Sequence, residues 1–371
     1  MIRLARLAFA LAITLPVAVA CSTAKPAPAT PSAAAPSSSP AQPAAAPPAP
    51  TPETRYAAAP LALPGAASYG VLMDYLLFDP RTRTVWAPAG NTAAVDVVDI
   101  ATRKVAQVAP FPTQEVERRG QKRTIGPSAA ALGEPGTVFV VNRGDSSVCA
   151  VDEARLTRGA CGALDSPPDG IAYVARTREV WVTTPRDNSI RILDAATLAQ
   201  KARLPFDGAP EGFAVDATRN RFYTNLEDKD RTLAIDLTTR ATVATWNPGC
   251  GEAGPRGLRI AEPEGFLLVA CTTKTEVLDA GHDGAILGSV DTGDGVDDLD
   301  YVAATHTVYI GAAKDARLTI AALDAKGALN AIVVVPTKQG ARNPVVAVDG
   351  SVYLANSGGG ELIVVTPEPE K

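Results

Sequence analysis

"EGFAVDATRNRFYTNLEDKDRTLAIDLTTRATVATW", residues 211–246, holds four short β-rich runs in succession: FAVD, RFYT, TLAID and TVATW. β-Branched and aromatic residues fill each run, and clusters of Asp, Asn, Arg and Thr bound it, which is the pattern of a meander of antiparallel strands. A meander this small cannot bury both of its faces, so it must stack on further copies of itself. Copies are present. Units made of an inner strand and its partner begin at residues 75 (YLLFDPRTRTVWAPAG), 128 (SAAALGEPGTVFVVN), 170 (GIAYVARTREVWVTT), 212 (GFAVDATRNRFYTNL), 257 (GLRIAEPEGFLLVAC), 298 (DLDYVAATHTVYIGA) and 344 (PVVAVDGSVYLAN). Most are followed by an outer pair such as SIRILDAATLAQKARL (189–204).

The starts are 53, 42, 42, 45, 41 and 46 residues apart. Four strands at that period predict an all-β, seven-bladed β-propeller over residues 55–371. The seventh unit reads PVVAVD, SVYLAN, ELIVV and then TPEPEK, so it lacks an outermost strand. A bare strand edge invites aggregation. The segment YAAAPLALPG (56–65) aligns with the outer strands KARLPFDGAP and VATWNPGCG, which predicts that an N-terminal outer strand completes the C-terminal blade. Pro60 suits that place, because an outermost strand needs backbone donors on one side only.

VYLANSG (352–358), VFVVNRG (138–144) and RFYTNLED (221–228), each followed by a hydrophobic strand ending in Asp and a turn such as AAT or LTT, resemble the YVTN-type repeat. That repeat belongs to seven-bladed propellers, YncE-like exported proteins and surface-layer proteins among them. The resemblance covers about 310 residues and speaks for fold; the scaffold carries unrelated activities.

The N-terminus predicts export. Arg3 and Arg6 precede the apolar run LAFALAITLPVAVA, which is too short for a stable membrane span and ends in small residues before Cys21. Residues 1–20 are expected to be a signal peptide. Ala18-Val19-Ala20-Cys21 resembles the lipobox of bacterial lipoproteins, with Ala18 where Leu is usual, and it also suits ordinary signal peptidase. Residues 22–52 contain ten Pro, eleven Ala and one charged residue, Lys25. Such a segment forms no core, and at ~3.1 Å per residue its reach approaches roughly 90 Å. Residues 21–54 thus read as a lipidation cysteine and a tether, with the outer membrane implied by Ser22 after the cysteine. A secreted protein with a disordered N-terminus is the alternative.

The balance of 35 basic and 40 acidic residues argues against gripping nucleic acid through its phosphates. Four further cysteines suit an oxidising compartment. Cys149 and Cys161 fall where the third and fourth strands of blade two oppose each other. Cys250 and Cys271 lie on the face where the channel opens; a thiolate metal site at that pair lacks the further ligands zinc would want. Two disulfides are therefore expected.

On that mouth face the residue before each inner strand is Asp74, Pro127, Asp169, Glu211, Arg256, Asp297 and Asn343, with Asp298 beside Asp297. Five acids and one base converge. At ~6 Å and an effective dielectric of ~20, each like-charge pair costs roughly 2.8 kcal/mol, against about 0.7 in water, so a dry mouth demands a cation, protons or a basic ligand. Asp74, Asp169, Glu211 and Asp297 are candidate ligands for calcium or another divalent cation, which takes carboxylate and amide oxygens, and Asn142, Asn225 and Asn356 are candidate additions. The other reading is that the acids cap backbone donors and keep a wet channel soluble. The long first spacing comes from PFPTQEVERRGQKRTIG (110–126), a candidate lid or partner loop carrying Arg118 and Arg119.

The two histidines, His282 and His306, fall in turns of the opposite face, which disfavours a histidine base at the mouth. The chain has no CxxCH haem motif, phosphate-binding loop or GxSxG elbow. The sequence is read as a monomeric, envelope-tethered binding module that takes a small ligand, peptide or envelope protein at Asp74, Asp169, Glu211, Arg256, Asp297, Asn343, Arg118 and Arg119. The alternative is a metal-dependent lactonase-like or esterase-like hydrolase at the acidic mouth, an arrangement that resembles propeller hydrolases. A quinone-dependent dehydrogenase resembles the scaffold only.

Overall fold

A computed structural model describes residues 46–66, 69–118 and 120–368. They form seven four-stranded antiparallel sheets and one two-stranded hairpin. The quoted stretch is blade four, with strands Pro210–Asp216, Arg221–Leu226, Arg231–Asp236 and Thr242–Trp246. In blades one to five the third strand ends in an Asp whose carboxylate accepts backbone N–H groups of the following turn. Thr239 N–H reaches Asp236 Oδ1 at 2.8 Å, and Thr102 N–H reaches Asp99 at 2.7 Å. These Asx turns explain why Asp-Leu-Thr-Thr and its variants recur.

Stacking supplies the core. Seven apolar clusters occupy the seven seams between neighbouring blades. In the seam of blades three and four, Trp181 stacks on Phe222 with ring centroids 4.8 Å apart. Alternate residues of one strand therefore serve two different seams. Val95 and Val97 face blade two, whereas Val98 faces blade seven.

The ring closes as expected. Tyr56–Ala62 pairs antiparallel with Glu361–Pro367, from Tyr56 opposite Pro367 to Ala62 opposite Glu361. Leu63 then tucks into the seam of blades seven and one. Both predicted disulfides are present, Cys149–Cys161 and Cys250–Cys271. Among the described residues no helix is long and apolar enough to cross a membrane.

The inner strands share one irregularity that positions the site. In blades two, four, five, six and seven the pairing of first and second strands shifts at the mouth, at Pro127/Ala129, Pro210/Phe213, Pro255/Leu258, Val296/Leu299 and Arg342/Val345. A bulge bends a strand and re-aims its side chains. Glu211, Arg256 and Asp297 sit inside these bulges.

Candidate functional site

The mouth is a cup of about 670 Å³. Asp74, Pro127, Asp169, Glu211, Arg256 and Asp297 line it, as the spacing predicts, together with Gly90, Arg186 and Ser357 from turns between second and third strands. In blades three, four and five a glycine follows the mouth position, because the inner strands crowd the axis there. A Cβ on Gly212 would stand 2.2 Å from the Arg256 carbonyl oxygen, and one on Gly170 would stand 2.2 Å from the Phe213 ring. The phrases Asp169-Gly170, Glu211-Gly212 and Arg256-Gly257 were the available signal of this crowding.

Phe213 of blade four meets Tyr75 of blade one across the ring, with centroids 5.8 Å apart. This aromatic pair narrows the channel beneath the mouth. The long insertion forms its overhang. Gln114–Arg118 and Gln121–Ile125 make a hairpin whose Val116, Glu117, Arg123 and Ile125 line the cup. Its base is held by Asn142 Nδ2 donating to the Pro112 carbonyl at 2.9 Å and Arg143 N–H donating to the Gly126 carbonyl at 2.9 Å. Arg118 ends the hairpin's first strand; Arg119 and Cys21 lie outside the described residues.

The charge of the cup corrects the sequence-based count of five acids against one base. Six carboxyls and five guanidiniums line it. Arg143, from the turn after Asn142, donates from Nη2 to Asp74 at 2.7 Å and to Asp169. It therefore ties blades one, two and three together. Arg342 pairs with Asp297 at 3.0 Å, Arg256 pairs with Glu227, and Arg259 pairs with Asp298 at 2.8 Å.

Asn343 is corrected as well. It is buried beneath the surface, with Nδ2 donating to Asp297 at 3.0 Å and Oδ1 accepting from Asp298 N–H at 3.0 Å. Its backbone has φ 52° within the bulge, which turns Arg342 into the cup in its place. Asn142, Asn225 and Asn356 are also buried. Asn225 Nδ2 donates to the Arg256 carbonyl at 2.7 Å, and Asn356 Nδ2 donates to Glu361 at 3.0 Å. Among the described residues, no group of three or more His, Cys, Asp or Glu side chains is placed to hold a metal ion. The guanidiniums stand where a cation would be needed.

Glu211 is the exception. Among the described residues its carboxyl has no hydrogen bond or ion pair, although four other carboxyls act on it. Burial, and then the charges of Asp169, Asp74, Glu227 and Asp297, push it well above the usual carboxylate range. Burial also raises Asp74 to about 6 against the opposing pull of Arg143. Asp169 is 8% exposed, and its Oδ2 is buried without a donor. A second cleft of about 540 Å³ lies on the outer rim between blades one and two, lined by Thr82, Val97, Lys104 and Leu156 among others. It brings together no comparable set of charges.

No protein-family model and no curated protein sequence matches the chain. Solved structures do match in fold. A chain of Kuenenia stuttgartiensis hydrazine synthase is 16% identical with TM-score 0.65, covering 80% of this chain and 95% of that one. Virginiamycin B lyase from Staphylococcus aureus is 12% identical with TM-score 0.64, covering 84% and 99%. A chain of a mitotic checkpoint complex is 14% identical with TM-score 0.63, covering 92% and 100%. At these identities the likeness is one of architecture: a seven-bladed β-propeller with propeller neighbours.

Proposed function

We propose that this chain is an exported, envelope-tethered binding module of YncE-like type, which takes a small charged ligand or a peptide segment of a partner in the cup. The observation that carries this reading is the cup itself: overhung by the inserted hairpin and lined by paired charges, with one interior carboxyl, Glu211, left unpaired. Fixed charges in a concave, partly desolvated site orient a ligand at little reorganisation cost. One structural neighbour belongs to a complex by its title and another is a lyase by its name, so architecture alone does not choose between binding and catalysis. The tether is part of the proposal. Labelled fatty acid is expected to enter the wild-type protein in the producing cell and to be lost in Cys21→Ser.

Thermal-shift titration of the purified protein tests the cup with four ligand classes: cationic, anionic, zwitterionic and neutral small molecules and tripeptides. At least one class is expected to raise Tm, and Ala209→Trp, which fills the cup from a lining position, is expected to remove that shift. Shifts that survive Ala209→Trp, or no shift with any class, overturn the reading. Chelator-sensitive hydrolysis of a lactone with a co-purified divalent ion overturns it in favour of the metal-dependent alternative.

A further inference from the structure

Three properties of the cup point to one ligand chemistry. The first is the pairing of its charges. Arg143 is occupied by Asp74 and Asp169, Arg256 by Glu227 and Arg342 by Asp297, which leaves no inner guanidinium for an anion. Arg123 and Arg186 are exposed at the rim. The charge-bearing group left in the interior is the Glu211 carboxyl, and beside it Asp169 Oδ2 is buried without a donor.

The second is the lining. Leu72, Met73, Val116, Ile125, Pro127 and Pro168 place apolar patches among the charged groups that line the cup. Such patches give a hydrocarbon stem a surface to lie on beside the charges. The third is the lack of a multidentate carboxylate set among the described residues. A calcium-type ion takes six to eight oxygens, and here four of the acids are already engaged by arginine.

We infer that the cup is a receptor for an organic cation, an alkylammonium or guanidinium group on an apolar stem, whose charge lies against Glu211. This inference rests on the binding-module reading and names its ligand class. Free amines and the side chains of lysine or arginine in a peptide share this chemistry.

The charged and titratable groups facing Glu211 give the inference a signature of its own. Asp169 and Asp74 face it from blades three and one, Glu227 and Asp297 from blades four and six, and Arg143, Arg342 and Tyr75 from blades two, seven and one, with Arg256 of blade five lining the same cup. Burial and the surrounding carboxyls hold the proton on Glu211 to higher pH than an ordinary carboxyl would keep it. An arriving ammonium displaces that proton to solvent. Binding therefore releases up to one proton per ligand and tightens as pH rises through the range in which Glu211 titrates.

Calorimetric titration of the full purified protein with cadaverine, agmatine and acetyl-Gly-Lys-Gly-amide, in two buffers of different ionisation enthalpy, tests this. Saturable binding with proton release is expected, weakened roughly 30-fold in Glu211→Gln, as for loss of a charged hydrogen-bonded partner. Binding of the tripeptide alone marks a peptide as the source and binding of cadaverine alone marks a free amine; either supports the inference. Equal affinity in Glu211→Gln, or binding without proton uptake or release, overturns it. The proton measurement needs only the wild type, so a Glu211→Gln that fails to fold leaves the test intact. If these cations fail while another class binds in a manner lost in Ala209→Trp, the cation inference falls and the binding module stands. If nothing binds, both fall.

Discussion

Replacing Arg143 with Met keeps most of the side-chain volume and removes the guanidinium that joins three blades. Arg143 meets Asp74 at 2.7 Å, Asp169, and through Nε the Pro168 carbonyl at 3.2 Å. Taking one member from such a part-buried charge network leaves its partners uncompensated, at a cost of about 3–5 kcal/mol. The cost depends on pH in a direction the structure sets. Asp74 stands at about 6, above its ordinary 3.8, even with Arg143 present. A raised folded value means that the folded state binds more protons than the unfolded chain, so this stabilisation is complete below pH ~4 and is lost as pH rises through ~6. Without Arg143 the value rises further, and a proton replaces the guanidinium at low pH. The Arg143→Met penalty is therefore expected to be full at pH 8 and to fall to about half or less at pH 5, each unit of added shift counting for about 1.4 kcal/mol. Urea midpoints at pH 5, 6.5 and 8 measure it, and adding Asp74→Asn to Arg143→Met is expected to restore much of the loss at pH 8. An equal penalty at pH 5 and pH 8, with no recovery in the double variant, refutes the electrostatic account.

Two further outcomes are expected. Asp96 is fully buried on the third strand of blade one, with Oδ1 accepting from Gln107 Nε2 at 2.8 Å and Oδ2 without a donor, and burial raises it to about 6. Asp96→Asn is expected to stabilise the protein at pH 8 by up to about 3 kcal/mol and not at pH 4.5, read as Tm at the two pH values. Removing residues up to 63 strips the clasp strand from Glu361–Pro367 and takes away Leu63, whose burial alone contributes about 1.5–3 kcal/mol. Lower Tm and concentration-dependent association through the bared edge are expected by light scattering; an unchanged monomer with unchanged Tm contradicts the clasp.

Much of the architecture is local and was legible. Period-two alternation marked the strands, Asp-led turns marked the hairpins, and the repeat length marked the blades. Even the clasp followed from a missing fourth strand at one end and a spare one at the other. The cysteine pairs could be placed because strand registry carries both members to fixed positions.

The chemistry of the mouth was legible in part. Residue types before the inner strands named Asp74, Asp169, Glu211, Arg256 and Asp297 correctly as lining groups. They did not reveal Arg143, although it stands in the quoted VFVVNRG, because its reach across two neighbouring blades is not a property of its own strand. Nor did they distinguish Arg342 from Asn343, because a bulge with one left-handed residue decides which of two adjacent side chains enters the cup. The sequence alone determined the strands, their number and the closure, since these depend on near neighbours and on repetition. The sign and pairing of charge at the axis arise from seven distant segments meeting at one point, and only the tertiary structure brings them there.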